Sequence, residues 1–216
     1  FRTAGITAMV ARQAARKGAK RLALVGAGFQ GRAQAWALCH FFRFEEIAVV
    51  DPVVDAQWCT QLALHSGARV RACNAEAAVR EADIVVTATR SATPVLDGAW
   101  LKPGAFVSAV GTSTPKAREL DDTTLSRAQR IIVEWAPQSL QEAGELVLWQ
   151  PTSESERDKV VDLPTLCAGT QPWRAAEDDI IVAKSVGVGL SDVACAYLAY
   201  RNSARVSQAA TQGVAA

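Results

Sequence analysis

The stretch LALVGAGFQGRAQ, Leu22 to Gln34, places Gly26, Gly28 and Gly31 in the spacing GxGxxG. The apolar run at its start predicts a buried β-strand, and the residues after the last glycine predict a helix. By itself this spacing could be only a tight turn, but a strand before it and a helix after it are the context of a dinucleotide-binding turn. The stretch therefore predicts a Rossmann-type α/β fold.

Each glycine would have its own part in such a turn. Gly26 would let the chain turn sharply, Gly28 would let the backbone approach a pyrophosphate, and Gly31 would let the helix lie close to the sheet. The N-terminus of the helix, at Phe29 and Gln30, would offer free N–H groups and the positive end of its dipole to the phosphates. These five residues are the first candidates for cofactor binding.

Asp51 ends the next predicted strand, EEIAVVDP. A carboxylate at this place would accept hydrogen bonds from the ribose hydroxyls of the adenosine. Its charge would repel a 2′-phosphate, and no arginine follows it in VVDPVVD, so the sequence favours NAD(H), with NADP(H) as the alternative. Asp51 could instead, or in addition, cap the helix that follows it.

Short apolar runs alternate with helical segments from about Lys20 to about Glu134. This alternation is typical of βαβ units, which build a doubly wound, mainly parallel sheet. Asn74 is expected to cap the helix in NAEAAVREA. Beyond Trp135 the pattern weakens: VVDLPTLCAG predicts a helix that ends at Gly169, and IIVAKS predicts a short strand before a long helix.

The composition argues against several classes of partner. The chain of 216 residues has 23 Lys and Arg against 22 Asp and Glu, which argues against nucleic acid or an anionic membrane as a partner. Five cysteines without a CxxC, and only two histidines, predict neither a disulfide framework nor a metal site. Reduced thiols and the absence of a signal peptide or a long apolar run lead us to expect a cytoplasmic protein.

Five stretches resemble the ornithine cyclodeaminase/mu-crystallin family, in order along nearly the whole chain: RTAGITAMVAR, LVGAGFQGRAQ, ADIVVTATRSATPVL, LKPGAFVSAVGTSTPKARELD and AKSVGVGLSDVACAY. The resemblance implies an NAD(P)-dependent enzyme that acts on a small imino acid or amino acid as a homodimer. It also implies that the Rossmann domain is inserted into a second domain, which binds substrate and dimerises.

The chain enters an amphipathic helix directly from Phe1, so we expect it to be a fragment. The resemblance implies that a segment before this helix supplies part of the substrate pocket, and we expect this sequence to start after that segment. We therefore expect three parts: a helix linking from the substrate and dimerisation domain (1–18), the NAD(P)-binding Rossmann domain (19–150), and a segment returning to the second domain (151–216).

The resemblance and the expected strand ends imply further site residues. Arg2 resembles an arginine that clamps the substrate carboxylate, which a guanidinium can bind with two hydrogen bonds, although a terminal arginine could equally be plain surface. Val186, like Ser185, resembles a residue that closes over the nicotinamide. Asp192 matches an acidic position in the following helix, although it could equally be a favourable charge at the helix N-terminus. The remaining cofactor candidates are Thr3, Thr87, Thr89, Val107, Ser108, Ala109, Val110 and Ser185. The two strand-end threonines, Thr87 and Thr89, could instead be ordinary strand packing.

Ser113 departs from the cyclodeaminase pattern. There an aspartate handles protons during amine loss, whereas VGTSTP places a serine at this position. An alcohol is a poor unassisted general base near neutral pH, and a serine here resembles the imine-reductase branch of the family. Ser113 is therefore a catalytic and substrate-binding candidate that would orient the imine nitrogen or a water. Its alternative role is purely structural, in shaping the turn before Pro115.

We therefore expect an NAD(P)H-dependent reductase of cyclic imino acids. Its substrates would be Δ1-pyrroline-2-carboxylate or Δ1-piperideine-2-carboxylate, and its products L-proline or L-pipecolate. The first alternative is ornithine cyclodeaminase, which converts L-ornithine to L-proline and ammonia and recycles NAD+. Alanine dehydrogenase activity is the next, and a non-catalytic, crystallin-like binding protein would be a different class of function.

Overall fold

A computed structural model describes residues 2–213 and the side chains of residues 2–203. The chain divides into two compact units. The first is Thr3–Val186, and the second is Arg2 together with Gly187–Ala216. Each unit is described by itself below.

Eight strands lie in the described part of the chain, all in the first unit. Their bounds are Arg21–Val25 (β1), Glu46–Val50 (β2), Arg69–Ala72 (β3), Ile84–Thr87 (β4), Phe106–Ala109 (β5), Arg130–Val133 (β6), Val160–Asp162 (β7) and Ile181–Lys184 (β8). They form one sheet in the order β3-β2-β1-β4-β5-β8-β6-β7, and every neighbouring pair is parallel. The predicted α/β fold with a parallel sheet is confirmed.

Helices connect the strands. In the described residues they are α1 (Arg2–Ala14), α2 (Phe29–Phe41), α3 (Ala56–Ser66), α4 (Ala75–Val79), α5 (Asp122–Arg127), α6 (Ala136–Glu142), α7 (Gly144–Val147), α8 (Leu163–Cys167) and α9 (Gly189–Gly213). Two short 3-10 helices lie at Gly98–Trp100 and Glu154–Lys159. The predicted cap of α4 is confirmed, since the Asn74 side chain accepts a hydrogen bond from the backbone N–H of Ala77 at 2.8 Å.

The central strands β4, β5 and β8 are buried along their whole length. This is the pattern of a parallel sheet covered on both faces, and it explains why these strands appear in the sequence as continuous apolar runs. β1 pairs with β2 on one side and with β4 on the other. The order of the strands therefore reverses at β1 and β4, which opens a crevice outside their carboxyl ends.

The segment 160–169 differs from the predicted helix. Val160–Asp162 is an edge strand that pairs with β6, and the helix α8 after it ends at Cys167. The Asp162 side chain begins that helix by accepting the backbone N–H of Thr165 at 3.1 Å. A strand of three residues is too short to show the alternation that distinguishes a strand from a helix, which is why the sequence pattern missed it.

The sheet continues beyond the boundary that we predicted at residue 150. β7 and β8 both come from the segment 151–216, and β8 lies between β5 and β6. The first compact unit accordingly runs to Val186. The division into a cofactor domain and a substrate domain stays a prediction. In the described residues, no helix combines the length and the apolar character that a membrane span needs.

Candidate functional site

A cavity of about 840 Å³ lies at the carboxyl ends of β1, β2 and β4. We call it the crevice. The glycine turn forms one side, Asp51 lies at the end of β2, and Thr89 and Gly111 follow β4 and β5. This is the position at which open α/β sheets bind ligands.

The three glycines of the turn have different surroundings, and the fold itself requires glycine at only two of them. Gly26 has a positive φ of 93°, and a Cβ there would lie 2.6 Å from the carbonyl oxygen of Ala88. A Cβ on Gly31 would lie 1.8 Å from the carbonyl oxygen of Gly26, so the predicted close packing of helix and turn is present. A Cβ on Gly28 would meet no atom of the described part of the chain within 4 Å, because the space beside it is open. That open space fits a group bound against the backbone, such as a pyrophosphate.

The N-terminus of α2 leaves its N–H groups available. Gly28 is the N-cap residue, and no side chain of the described residues caps the helix. Four N–H groups at a helix start have no partner within the helix, and the helix dipole makes that end favourable for anions. The turn is therefore suited to a phosphate group.

Asp51 is held at the edge of the crevice by two backbone groups. Its Oδ2 accepts the N–H of Ala27 at 2.7 Å, and its Oδ1 accepts the N–H of Val53 at 2.9 Å. The capping role that we considered for Asp51 belongs to Asp55, whose side chain accepts the N–H of Trp58 at the start of α3. That N–H and the Arg32 guanidinium hold the pKa of Asp55 below its usual value. Each Asp51 oxygen keeps a second lone pair for a ligand hydroxyl.

Glu119 does not line the crevice, but it contacts the residues at the ends of β4 and β5 that do. Its side chain is fully buried and accepts hydrogen bonds from Thr87, Thr89 and Gly111. We did not identify Glu119 from the sequence, because the loop TPKAREL carries no spacing that indicates a buried carboxylate.

Lys184 and Glu145 form a buried ion pair further along the same edge. Lys184 Nζ lies 3.0 Å from Glu145 Oε2, and both side chains are inaccessible to solvent. The contact is electrostatic, because Glu145 Oε2 has no aligned hydrogen-bond donor among the described residues; Nζ donates a hydrogen bond to the carbonyl oxygen of Thr112 at 2.6 Å. The sequence did carry a signal for this pair: a lysine at the end of the apolar run IIVAK requires a partner if that run is buried.

A second cavity of about 20 Å³, the small cavity, lies between α1 and the ends of β5 and β8. Its polar lining includes Ser108, Glu134 and Ser185. Ser185 Oγ donates a hydrogen bond to Glu134, and the backbone N–H of Val186 donates to the same carboxylate at 3.2 Å. Glu134 therefore holds the start of the segment that follows β8.

The sequence matches the model of the ornithine cyclodeaminase/mu-crystallin family over residues 1–207. The chain belongs to this family. The recognition that we made from five sequence stretches is thereby confirmed.

Three members of the family illustrate the similarity. The rat (Rattus norvegicus) ketimine reductase mu-crystallin is 30% identical over 200 residues, which cover 92% of this chain and 60% of that protein. The structure of a probable ornithine cyclodeaminase from Bordetella pertussis Tohama I is 45% identical with a TM-score of 0.90, over 94% of this chain and 65% of that one. The Δ1-pyrroline-2-carboxylate reductase of Thermococcus litoralis, solved with NADH and L-proline, is 27% identical with a TM-score of 0.87, over 95% and 65%.

The chain therefore spans 60 to 65% of the length of these family members. The parallel sheet is shared with solved structures of the family, which confirms the Rossmann-like fold. Relatives in this family bind NADH, as the complex of the Thermococcus enzyme with NADH demonstrates for that protein.

The fold of this family member brings six predicted cofactor residues together on the crevice: Gly26, Gly28, Phe29, Gln30, Asp51 and Thr89. Other candidates are buried and do not line the crevice: Gly31, Thr87, Val107, Ser108 and Ala109. Val110 is half-buried, and its backbone N–H donates to the carbonyl oxygen of Thr87 at 2.9 Å. Their assignment as cofactor contacts stays a prediction.

The remaining candidates lie elsewhere in the described residues. Ser113 is exposed, two residues after Gly111, and lines neither cavity. Thr3 is half-buried in α1. Arg2 and Asp192 belong to the second unit, where their side chains form an ion pair. The predicted carboxylate clamp at Arg2 thus has an acidic neighbour that we did not anticipate.

Proposed function

We propose that this chain is the NAD(H)-binding part of a reductase of cyclic imino acids. The substrate would be Δ1-pyrroline-2-carboxylate or Δ1-piperideine-2-carboxylate, and the product L-proline or L-pipecolate. One observation carries the proposal: the glycine turn, the uncapped N-terminus of α2 and Asp51 all border one crevice at the point where the strand order reverses.

The crevice residues suit the two halves of a dinucleotide. The pyrophosphate would lie against the open backbone of Gly28 and the N-terminus of α2. The adenosine ribose would donate its hydroxyls to Asp51, whose charge disfavours a 2′-phosphate. Arg90 also lines the crevice and is exposed, so the crevice carries a positive charge as well. NAD(H) is therefore our proposed cofactor, and NADP(H) the alternative.

Reduction of a C=N bond asks this chain mainly to position two reactants. The nicotinamide supplies the hydride when the cofactor is bound. Ser185 and Val186, held by Glu134, would border the reacting face. Ser113 would orient the imine nitrogen or hold a water that delivers a proton, while Arg2 would bind the substrate carboxylate. The named relatives that reduce ketimines and pyrroline carboxylate support this assignment.

Ornithine cyclodeaminase is the second candidate function. The observation that favours it is the 45% identity to the Bordetella protein, a probable ornithine cyclodeaminase. Against it stands Ser113, because the cyclodeaminase reaction needs a group that takes up and returns protons. A carboxylate does this near neutral pH far better than an alcohol.

The test is a pair of assays on the full-length protein. The first follows NADH oxidation with Δ1-pyrroline-2-carboxylate, and the second follows ammonia release from L-ornithine with NAD+. We expect rapid imine reduction and no ammonia. Ammonia from ornithine would replace the reductase proposal with the cyclodeaminase. NADH binding without either reaction would favour the crystallin-like binding protein.

The Ser113→Ala variant tests the residue assignment within that experiment. We expect kcat for imine reduction to fall by at least about tenfold, with the Kd for NADH unchanged, because Ser113 lies outside the crevice. A variant with unchanged kcat would remove Ser113 from the mechanism without removing the cofactor site.

We also propose that the full-length protein is a cytoplasmic homodimer, without nucleic acid or membrane partners. Within the second unit, the apolar side chains of Leu190, Val193 and Tyr197 are exposed on α9. Exposed apolar side chains grouped on one helix are typical of an interaction surface. Light scattering after size-exclusion chromatography would measure the mass in solution, and a monomer would contradict the proposal.

A further inference from the structure

Glu119 is a buried carboxylate to which the proposed mechanism gives no part. Its Oε1 accepts the backbone N–H of Thr89 at 2.6 Å and the Thr89 hydroxyl at 2.8 Å. Its Oε2 accepts the backbone N–H of Gly111 at 2.7 Å and the Thr87 hydroxyl at 3.0 Å. One side chain therefore joins the end of β4 to the end of β5.

A side chain with an acceptor oxygen on each side matches this set of partners. The backbone N–H groups of Thr89 and Gly111 can only donate, and they lie on different oxygens of Glu119, whereas the two threonine hydroxyls can also accept. A glutamine of the same shape would turn its NH₂ group toward one of these two backbone N–H groups and leave that N–H without an acceptor. Buried N–H groups without an acceptor are costly, so this replacement would move the backbone that carries them.

The groups that Glu119 holds form the wall of the crevice. Thr89 and Gly111 line it directly, as does Val95, whose backbone N–H donates to the carbonyl oxygen of Glu119 at 2.8 Å. The packing at Gly111 leaves no room for a side chain, since a Cβ there would lie 2.2 Å from the carbonyl oxygen of Thr89 and 2.4 Å from Glu119 Oε1. Glu119 itself does not line the crevice.

Glu119 is in turn held from behind. Its backbone N–H donates to Glu145 Oε1 at 2.9 Å, and Glu145 pairs with Lys184. The carboxylate that binds the crevice wall is thus fixed both by its own side-chain partners and through its backbone. A group supported in this way keeps its position when a ligand enters, which is the requirement for a preorganised binding wall.

We propose that Glu119 is the positioning residue of the cofactor site: its carboxylate sets the backbone of Thr89 and Gly111 at the spacing that the dinucleotide requires. The inference rests on the proposed NAD(H) site and extends it to a residue that touches no ligand. It predicts that cofactor affinity depends on a buried side chain outside the crevice.

The experiment compares Glu119→Gln with Asp83→Asn in the full-length protein. Asp83 is the matched control because it is also a buried carboxylate that accepts backbone N–H groups, those of Lys20 and Arg21, but at the amino ends of the strands. Both variants should lower Tm. NADH fluorescence should show a Kd about tenfold higher for Glu119→Gln and an unchanged Kd for Asp83→Asn. A tenfold change corresponds in free energy to about one hydrogen bond to a charged group.

Thr87→Val provides a second variant if Glu119→Gln does not fold. The Thr87 side chain is fully buried and outside the crevice, and valine keeps its shape while removing one hydrogen bond to Glu119. A raised Kd for NADH in this variant supports transmission through the carboxylate. In the double variant with Glu119→Gln, the two effects on Kd should not add, because both act through the same carboxylate.

The outcomes separate this inference from the proposed function. A wild-type protein that does not bind NADH overturns the cofactor site. A wild-type protein that binds NADH, with a Kd that Glu119→Gln and Thr87→Val leave unchanged, overturns only the role of Glu119. Equal losses of affinity in Glu119→Gln and Asp83→Asn would also overturn it, because the effect would then follow from general loss of stability.

Discussion

Lys184 Nζ lies 3.0 Å from Glu145 Oε2, and neither side chain is reached by solvent. Lys184 ends the central strand β8, and Glu145 lies in the short helix α7. A charge that is buried without a partner is expensive, so each of these residues depends on the other.

The first prediction concerns this ion pair. Lys184→Met should destabilise the protein by about 3–5 kcal/mol, because it leaves the Glu145 charge buried without its counter-charge. Adding Glu145→Gln should recover part of that loss, since a neutral amide needs no counter-charge. Urea unfolding measures both variants.

The exposed pair Lys20 and Glu45 is the control for the buried one. Lys20→Met should cost at most about 1 kcal/mol, because an exposed ion pair is screened by water. If Lys184→Met lowered the free energy of unfolding by no more than Lys20→Met, the buried pair would stabilise the fold no more than an exposed pair does.

The second prediction separates two glycines of the same turn. Gly31→Ala should lower Tm strongly, because its Cβ would lie 1.8 Å from the carbonyl oxygen of Gly26. Gly28→Ala should leave Tm unchanged or slightly higher, because it meets no atom within 4 Å and its φ is an ordinary −72°. Its methyl group would instead occupy the space proposed for the pyrophosphate, so the Kd for NADH should rise.

Thermal unfolding and NADH titration on both variants check this prediction. Gly18→Ala is unsuitable as a control because Gly18 has a positive φ, whereas Gly5 in α1 has open space and no such constraint. Gly5→Ala should lower neither Tm nor the affinity for NADH. NADH binding that survives Gly28→Ala intact would argue against a pyrophosphate at that place.

The third prediction concerns cofactor preference. Asp51→Asn removes the negative charge at the end of β2 while keeping one oxygen for a backbone N–H. The Kd for NADPH relative to that for NADH should fall by about tenfold, since the 2′-phosphate then meets no like charge. Glu76→Gln, an exposed change on α4 outside the crevice, should leave the ratio as it is. A ratio equally insensitive to both changes would mean that Asp51 does not face the ribose.

The fourth prediction concerns stability at low pH. Burial by itself would raise the pKa of Asp83, but the hydrogen bonds from Lys102 and from the backbone of Lys20 and Arg21 outweigh it and hold the pKa below its ordinary value of 3.8. The folded state thus favours the ionised form. The stabilisation is complete above pH 3.8 and is lost as the pH falls through the lower pKa of the folded protein.

Asp83→Asn should therefore destabilise the protein at neutral pH and make little further difference in strong acid. Denaturant unfolding of both proteins across this range measures the difference in the free energy of unfolding. A difference that stays constant with pH would show that the ionisation of Asp83 does not contribute.

Local sequence patterns were enough to predict the glycine turn, Asp51 and the parallel sheet. The strand, glycine turn and helix at Leu22–Gln34 were recognisable because neighbours in the chain carry the whole signal: an apolar run, three spaced glycines and helical periodicity. Asp51 was recognisable because it follows the next strand at the expected distance. The alternation of strands and helices also predicted the parallel sheet, since parallel neighbours need a crossover between them.

Pairings between distant segments could not be obtained in this way. β8 lies between β5 and β6, and the β5–β8 partners are more than 70 residues apart, as in Phe106 and Ile181. Glu119 reaches Thr87 and Thr89 across 32 and 30 residues. No periodicity extends over such separations, because which strands become neighbours depends on how whole elements pack.

The amino-acid sequence by itself thus determines the turn proposed to bind a dinucleotide, because that turn is built from consecutive residues. Folding in three dimensions decides which buried charges support it. Glu119, Glu145 and Lys184 come from three separate segments and meet only when the carboxyl ends of β4, β5 and β8 are side by side. A buried charge persists only where such partners surround it, and those partners exist only in the assembled fold.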